Sequence, residues 1–159
     1  INRTEEAHLF WLRDNKPQVM WLAVANPEMS VFLPYYGNVT KMPAPFESNA
    51  LEYTRESAYF RFGSLSALAV QDRVGYGKKV RDSWREMELG LIGGMPAMDA
   101  QYLQAGGTSS AANKLCGKVG QAALDRADEL FQQTFTEFML STVQDGGSDA
   151  SADSTAESK

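Results

Sequence analysis

Residues 5–36 read EEAHLFWLRDNKPQVMWLAVANPEMSVFLPYY, and the fold depends on how this stretch is read. Side chains alternate along a strand, so Glu6, His8, Phe10 and Leu12 share one face of a first arm, and Ala7, Leu9, Trp11 and Arg13 share the other. Both faces are mostly apolar. Asp14, Asn15 and Lys16 supply turn chemistry, and Pro17 opens the next strand, where its missing N–H is tolerated. The second arm, Gln18 to Asn26, puts Met20, Leu22 and Val24 on one side and Val19, Trp21, Ala23 and Ala25 on the other. A sheet with one wet face alternates apolar with polar, so two apolar faces predict strands held between two layers. Asn26-Pro27 breaks the arm, and a shorter extended segment runs from Ser30 to Tyr36, stopped by Pro34 and Gly37.

Downstream, Pro43 and Pro45 with few periodic apolar residues predict a loop over 37–53. From about Ser57 the period turns helical, with Tyr59, Phe62, Leu65, Leu68 and Ala69 on one stripe. Tyr76, Val80, Trp84, Met87 and Leu91 continue it, with Gly75 and Gly77 either kinking or separating two helices. Gly93-Gly94 and Pro96 are expected to end the run, leaving a short helix from Pro96 to Gln104 closed by Gly106-Gly107. Thr108 or Ser109 then caps a long last helix whose stripe is Leu115, Val119, Ala123, Ala127, Leu130, Phe131, Phe135 and Phe138. Residues 146–159 are too poor in apolar groups to offset ordering entropy and are expected to form a disordered acidic tail. Strands first and helices afterwards make the class α+β.

The 159 residues suit one domain, or one piece of one. Twenty acidic against fifteen basic residues give a net charge of −5, and the basic ones are dispersed except around Lys78, Lys79 and Arg81, so no nucleic-acid partner is expected. No apolar run approaches the roughly 18 residues of a membrane span, and no membrane partner is expected. The first residue is Ile1, which leads us to expect that sequence before it has been removed. One cysteine, Cys116, excludes an internal disulfide and a thiolate metal cluster. It leaves the compartment undetermined.

Catalysis by histidine has one candidate, His8, which sits in an apolar strand and reads first as structural. Cys116 reads as a small buried hydrophobe rather than a nucleophile. One His and one Cys do not make a metal site, and Glu47, Glu52 and Glu56 read as a solvated face, so neither metal nor cofactor is expected. Gly93-Gly94 lacks the context of a phosphate loop. Asn2-Arg3-Thr4 and Asn38-Val39-Thr40 fit the glycosylation sequon. Trp11, Trp21, Tyr35 and Tyr36 could line a cleft, although aromatics so placed are more often core. Local motifs therefore give no catalytic residue.

A wider pattern does carry a resemblance. Thr4, Glu6-Ala7-His8, Arg13, Trp21-Leu22-Ala23, Pro27, Ser30-Val31, Pro34, Tyr36 and Pro43 together resemble the C-terminal part of the cysteine-type dipeptidases, members of the Ntn-hydrolase superfamily related to penicillin V acylases and bile salt hydrolases. The likeness covers roughly residues 1–46 well and the helical remainder loosely. It implies that residues 1–145 belong to a four-layer αββα sandwich, which would explain arms apolar on both faces. It further implies dipeptide hydrolysis by acyl transfer to an N-terminal cysteine, whose α-amino group acts as base. Ile1 is no nucleophile and Cys116 is not at the family position, so no site residue is carried over. The loop from Asn26 to Pro45 would reach toward the substrate cleft.

Two readings follow. The first is the C-terminal portion of a dipeptidase, inactive alone, with the N-terminal portion of the same protein as partner and a dipeptide as the parent enzyme's substrate. The second is a non-catalytic binding or assembly module on the same scaffold. A third and weaker one pairs Cys116 with His8 as an autonomous thiol enzyme. An apolar sheet face without its partner layer also predicts that the chain self-associates or stays bound to its other half, and a homo-oligomer is expected.

Overall fold

A computed structural model describes residues 6–148. Strand β1 (Glu6–Trp11) pairs antiparallel with β2 (Val19–Val24), and β2 with β3 (Leu33–Tyr36), in the order β1-β2-β3. The turn between the first two uses Asn15 at φ 56°, a left-handed conformation that Asn tolerates. Beside it, Gln18 Oε1 accepts the Arg13 N–H at 2.8 Å and Gln18 Nε2 donates to the Arg13 carbonyl at 2.9 Å. One side chain thus extends the ladder past the last strand pair. Asn26 Oδ1 accepts the Glu28 N–H at 3.1 Å and turns the chain after β2.

The register places Leu9 opposite Trp21 and Trp21 opposite Pro34, and it places Phe10 opposite Met20 and Met20 opposite Tyr35. Each apolar face is therefore continuous across the sheet. All four residues of β3 are buried, and β2 alternates buried with half-buried. On β1, by contrast, Leu9 is 61% and Phe10 68% exposed. Cover for the sheet comes from this chain's own helices at β3 and fails at β1.

Helix α1 (Ala58–Ala69) buries Phe62, Leu65 and Ala69 as its period predicts, while Tyr59 stands exposed. Gly75 separates it from α2 (Tyr76–Gln104). Glycine suits the position: Asp72 Oδ1 accepts the Val74 and Gly75 N–H groups, and a Cβ on Gly75 would lie 2.1 Å from Asp72 Oδ2, so that carboxylate would have to move. The expected stop at Gly93-Gly94-Pro96 does not occur. Instead α2 runs unbroken for 29 residues, about 44 Å at the ordinary rise.

The reason is tertiary. Gly93, Gly94 and Pro96 lie on the exposed side, whereas Val80 and Trp84 before them, and Met95, Asp99 and Tyr102 after them, are buried. Two glycines cost about 1 kcal/mol each. Anchored faces on both sides of the weak turn offset that cost.

Helix α3 spans Ser109–Ser148 and begins where Thr108 Oγ1 accepts the Ala111 N–H at 3.3 Å. Its predicted stripe is buried from Ala123 to Leu130, but Phe135 is exposed. The helix thus includes residues 146–148, and the rest of the expected acidic tail, 149–159, lies outside the described residues, as does the sequon at Asn2. One core joins Met29, Phe62, Leu65, Trp84, Leu124 and Leu130, with the Trp84 Nε1–H donated to the Met29 carbonyl at 2.9 Å. A second joins Val19, Trp21, Tyr36, Met95, Tyr102 and Cys116.

Candidate functional site

Two features stand apart from ordinary packing, and both lie where the hairpin meets α2. In the first, Arg13, just past β1, donates from Nη1 to Asp99 Oδ2 at 2.6 Å and from Nη2 to Asp99 Oδ1 at 3.1 Å. Both side chains are more than nine-tenths buried. The Tyr36 hydroxyl donates to the same Oδ1 at 2.9 Å, and the guanidinium also reaches the Pro17 carbonyl and lies over the Trp11 ring at 4.8 Å. Tyr36 stacks on Tyr102 with centroids 4.1 Å apart, and the Tyr102 hydroxyl sits within bonding distance of Asn38 Oδ1 and the Gly107 carbonyl.

Burial, and then the bond to the Asp99 carboxylate, push the Tyr36 hydroxyl far above the ordinary tyrosine range. Both Asp99 oxygens accept from buried donors, Oδ2 from Arg13 and Oδ1 from Arg13 and Tyr36, and the arrangement holds charge in place inside the core.

The second feature is a cleft of about 360 Å³ between β1 and α2, lined by Leu9, Trp11, Trp21, Phe32, Glu88 and Ile92. Its walls are apolar and aromatic, with the Trp11 and Trp21 rings 6.5 Å apart. Among the described residues Glu88 is its one charged group; it is half-buried, and its Oε1 accepts the Phe32 N–H at 2.8 Å. Burial raises the Glu88 pKa, and that bond opposes the rise. Apolar walls with one oriented carboxylate suit binding more than bond cleavage.

The residues singled out from sequence divide between these places. Trp11 and Trp21 line the cleft, whereas Tyr35 and Tyr36 are core. His8 is exposed on β1 with its ring edge-on to Phe10 at 5.6 Å, not enclosed as an apolar strand would predict. Cys116 is buried in the second core, where burial pushes its thiol up, and no hydrogen bond joins it to His8. Glu47 Oε1 accepts the Met42 N–H at 2.8 Å, while Glu52 and Glu56 are exposed. Among the described residues no three His, Cys, Asp or Glu side chains come together as metal ligands.

Asn38 donates from Nδ2 to the Gly107 carbonyl at 2.9 Å, so its sequon amide is engaged in the fold. The loop from Asn26 to Pro45 folds back onto the helices: Asn113 Oδ1 accepts the Thr40 N–H at 2.8 Å. Sequence reasoning missed Asp99 and Glu88. Asp99 lies four residues after Met95 and three before Tyr102, and an acid on an apolar helical stripe is the signal of a paired buried charge.

Comparison with known proteins matches the first half of the chain. The family model described as Peptidase family C69 covers residues 1–86, which hold the whole sheet, α1 and the start of α2. A probable dipeptidase B of Streptococcus pyogenes serotype M1 is 29% identical over 87 residues, 52% of this chain and 18% of that protein. A probable dipeptidase B of Streptococcus pyogenes serotype M3 is 28% identical over 88 residues, with the same coverage. The chain therefore matches less than a fifth of the length of these relatives.

Proposed function

We propose, from the premise that the chain belongs to peptidase family C69, that it is the C-terminal portion of a dipeptidase that hydrolyses dipeptides by cysteine acyl transfer. The nucleophile lies on another portion of the parent polypeptide. The observation that carries this reading is the matched region itself, which is named for dipeptidases in the relatives and spans 18% of their length. The local chemistry agrees: Cys116 is enclosed in core with its thiol pKa raised, and His8 stands on an edge strand without it. A thiol so placed is inert rather than nucleophilic.

On this reading the sheet is part of a four-layer αββα sandwich. β3 already has helical cover on the inside, and the bare faces of β1 await the rest of the layers. The Arg13–Asp99–Tyr36 cluster fixes the hairpin to α2 and so positions the sheet, while chemistry is supplied from elsewhere. A dipeptide is the substrate of the parent enzyme.

The test is hydrolysis by the native protein against the isolated chain. Mass spectrometry of the native protein is expected to find polypeptide beyond these 159 residues, carrying a cysteine that alkylation inactivates. Dipeptide hydrolysis by the native protein and none by the chain alone is the expected result. A native protein of full relative length that hydrolyses no dipeptide would instead favour a binding or assembly module on the same scaffold.

A further inference from the structure

We propose that the free edge of β1 and the Glu88 cleft form a docking surface for an extended segment of the rest of the polypeptide that carries a lysine or arginine onto Glu88. This rests on the reading of the chain as one portion of a larger enzyme. β1 pairs with β2 on one side, and among the described residues nothing pairs with its other side. Such an edge presents unmade backbone hydrogen bonds, and proteins that leave one exposed blunt it with lysine, proline or a bulge. The six residues Glu6–Trp11 have no lysine and no proline, and they pair with β2 without a bulge. Leu9 on one face and Phe10 on the other are exposed. Strand addition satisfies both the backbone and the side chains at once.

The cleft specifies the occupant further. Among the described residues Glu88 is its single charged group, held by the Phe32 N–H, and has no ion-pair partner. A strand added to β1 places alternate side chains about 4.5–5.5 Å from Leu9 and Trp11, at the mouth of the cleft. From there the apolar stem of a lysine or arginine covers the tryptophan wall while its head reaches the carboxylate. A second copy of this chain is the poorer occupant, because each copy carries a net charge of −5. The relatives, of which this chain matches 18%, have ample polypeptide to supply the strand.

Amide hydrogen exchange tests this on the native protein and on the isolated chain. Of the amides of residues 6–11, those that do not already bond to β2 are expected to exchange at least about tenfold slower in the native protein, at any protein concentration. Glu88→Lys in the native protein is expected to restore fast exchange there, and Glu88→Asp to keep it slow, with the β2–β3 amides protected throughout as the report of folding. Equal exchange in the two forms overturns the proposal, as does protection lost on dilution, which marks a second copy. Glu88→Lys without effect also overturns it. Dipeptide hydrolysis is assayed on the same native sample: an active protein with unprotected β1 sinks the docking surface alone, and an inactive one with protected β1 sinks the enzymatic reading alone.

Discussion

Arg13 and Asp99, 86 residues apart in sequence, form a two-point ion pair with both side chains more than nine-tenths buried. It is the tie between the hairpin and the far half of α2. Desolvating two charges is costly, so the pair is not itself a large source of stability, but removing one partner strands the other. Asp99→Ala is therefore expected to cost about 3–5 kcal/mol in denaturant unfolding. Replacing Arg13 by Met and Asp99 by Leu together is expected to cost much less. A loss under about 1 kcal/mol for Asp99→Ala would mean that the ion pair is not formed.

The same carboxylate shapes the alkaline limit of stability. Burial pushes Tyr35 up to about 12 and Tyr36 further still, while an unfolded tyrosine titrates near 10. Above pH 10 the unfolded state releases protons that the folded state keeps, so folding stability falls as pH rises from there toward 12. Below pH 10 these two groups contribute no slope. The fall approaches about 1.4 kcal/mol per pH unit for each tyrosine. In Tyr36→Phe the slope of unfolding free energy between pH 10 and 12 is expected to become shallower by up to about 1.4 kcal/mol per pH unit, with Tyr35 and the raised Cys116 thiol still contributing; an unchanged slope would show that Tyr36 titrates normally.

How much of this the sequence disclosed depended on the range of the interaction. The hairpin was legible because alternation and turn chemistry are local: Asn15 takes the left-handed turn, and β2 alternates as written. Burial of β1 was not, since an apolar strand is covered only if a neighbour exists, and alternation carries no count of neighbours. The break at Gly93-Gly94 failed for a related reason. Local propensity marked a stop, and packing at Met95 and Tyr102 overrode it. Of the candidate site, alternation named Trp11 and Trp21 together with Tyr35 and Tyr36 and favoured core for all four, without separating the pair that lines the cleft, and Glu88 and Asp99 gain their meaning from Phe32 and Arg13, which no spacing rule links to them.

Cys116 offers a chemical test of the site assignment. It is 1% exposed, and burial raises its thiol pKa, so the thiolate that reacts is scarce and shielded. Alkylation by iodoacetamide at pH 8 is expected to be at least about 100-fold slower in the folded chain than in denaturant. If the chain is a portion of a dipeptidase, as proposed, the activity of the whole protein is expected to survive Cys116→Ala, a change that leaves a small cavity. Rapid labelling of the folded protein at Cys116 would reopen its candidacy as a nucleophile.

The unbroken course of α2 has its own consequence for substitution. Gly93 and Gly94 are exposed, and a Cβ at either would meet nothing within 4 Å. Within a helix, alanine restricts the unfolded chain and strengthens the helix without a steric cost. Gly93→Ala and Gly94→Ala are thus each expected to stabilise by about 0.5–1 kcal/mol in denaturant unfolding. If the chain turned at these residues, as their local chemistry implies, alanine would gain nothing or destabilise. Gly75→Ala is the control with the opposite sign, because its Cβ would meet the Asp72 carboxylate that holds the turn before α2. Stabilisation at 93 and 94 with destabilisation at 75 would separate glycines inside a helix from the glycine that starts it.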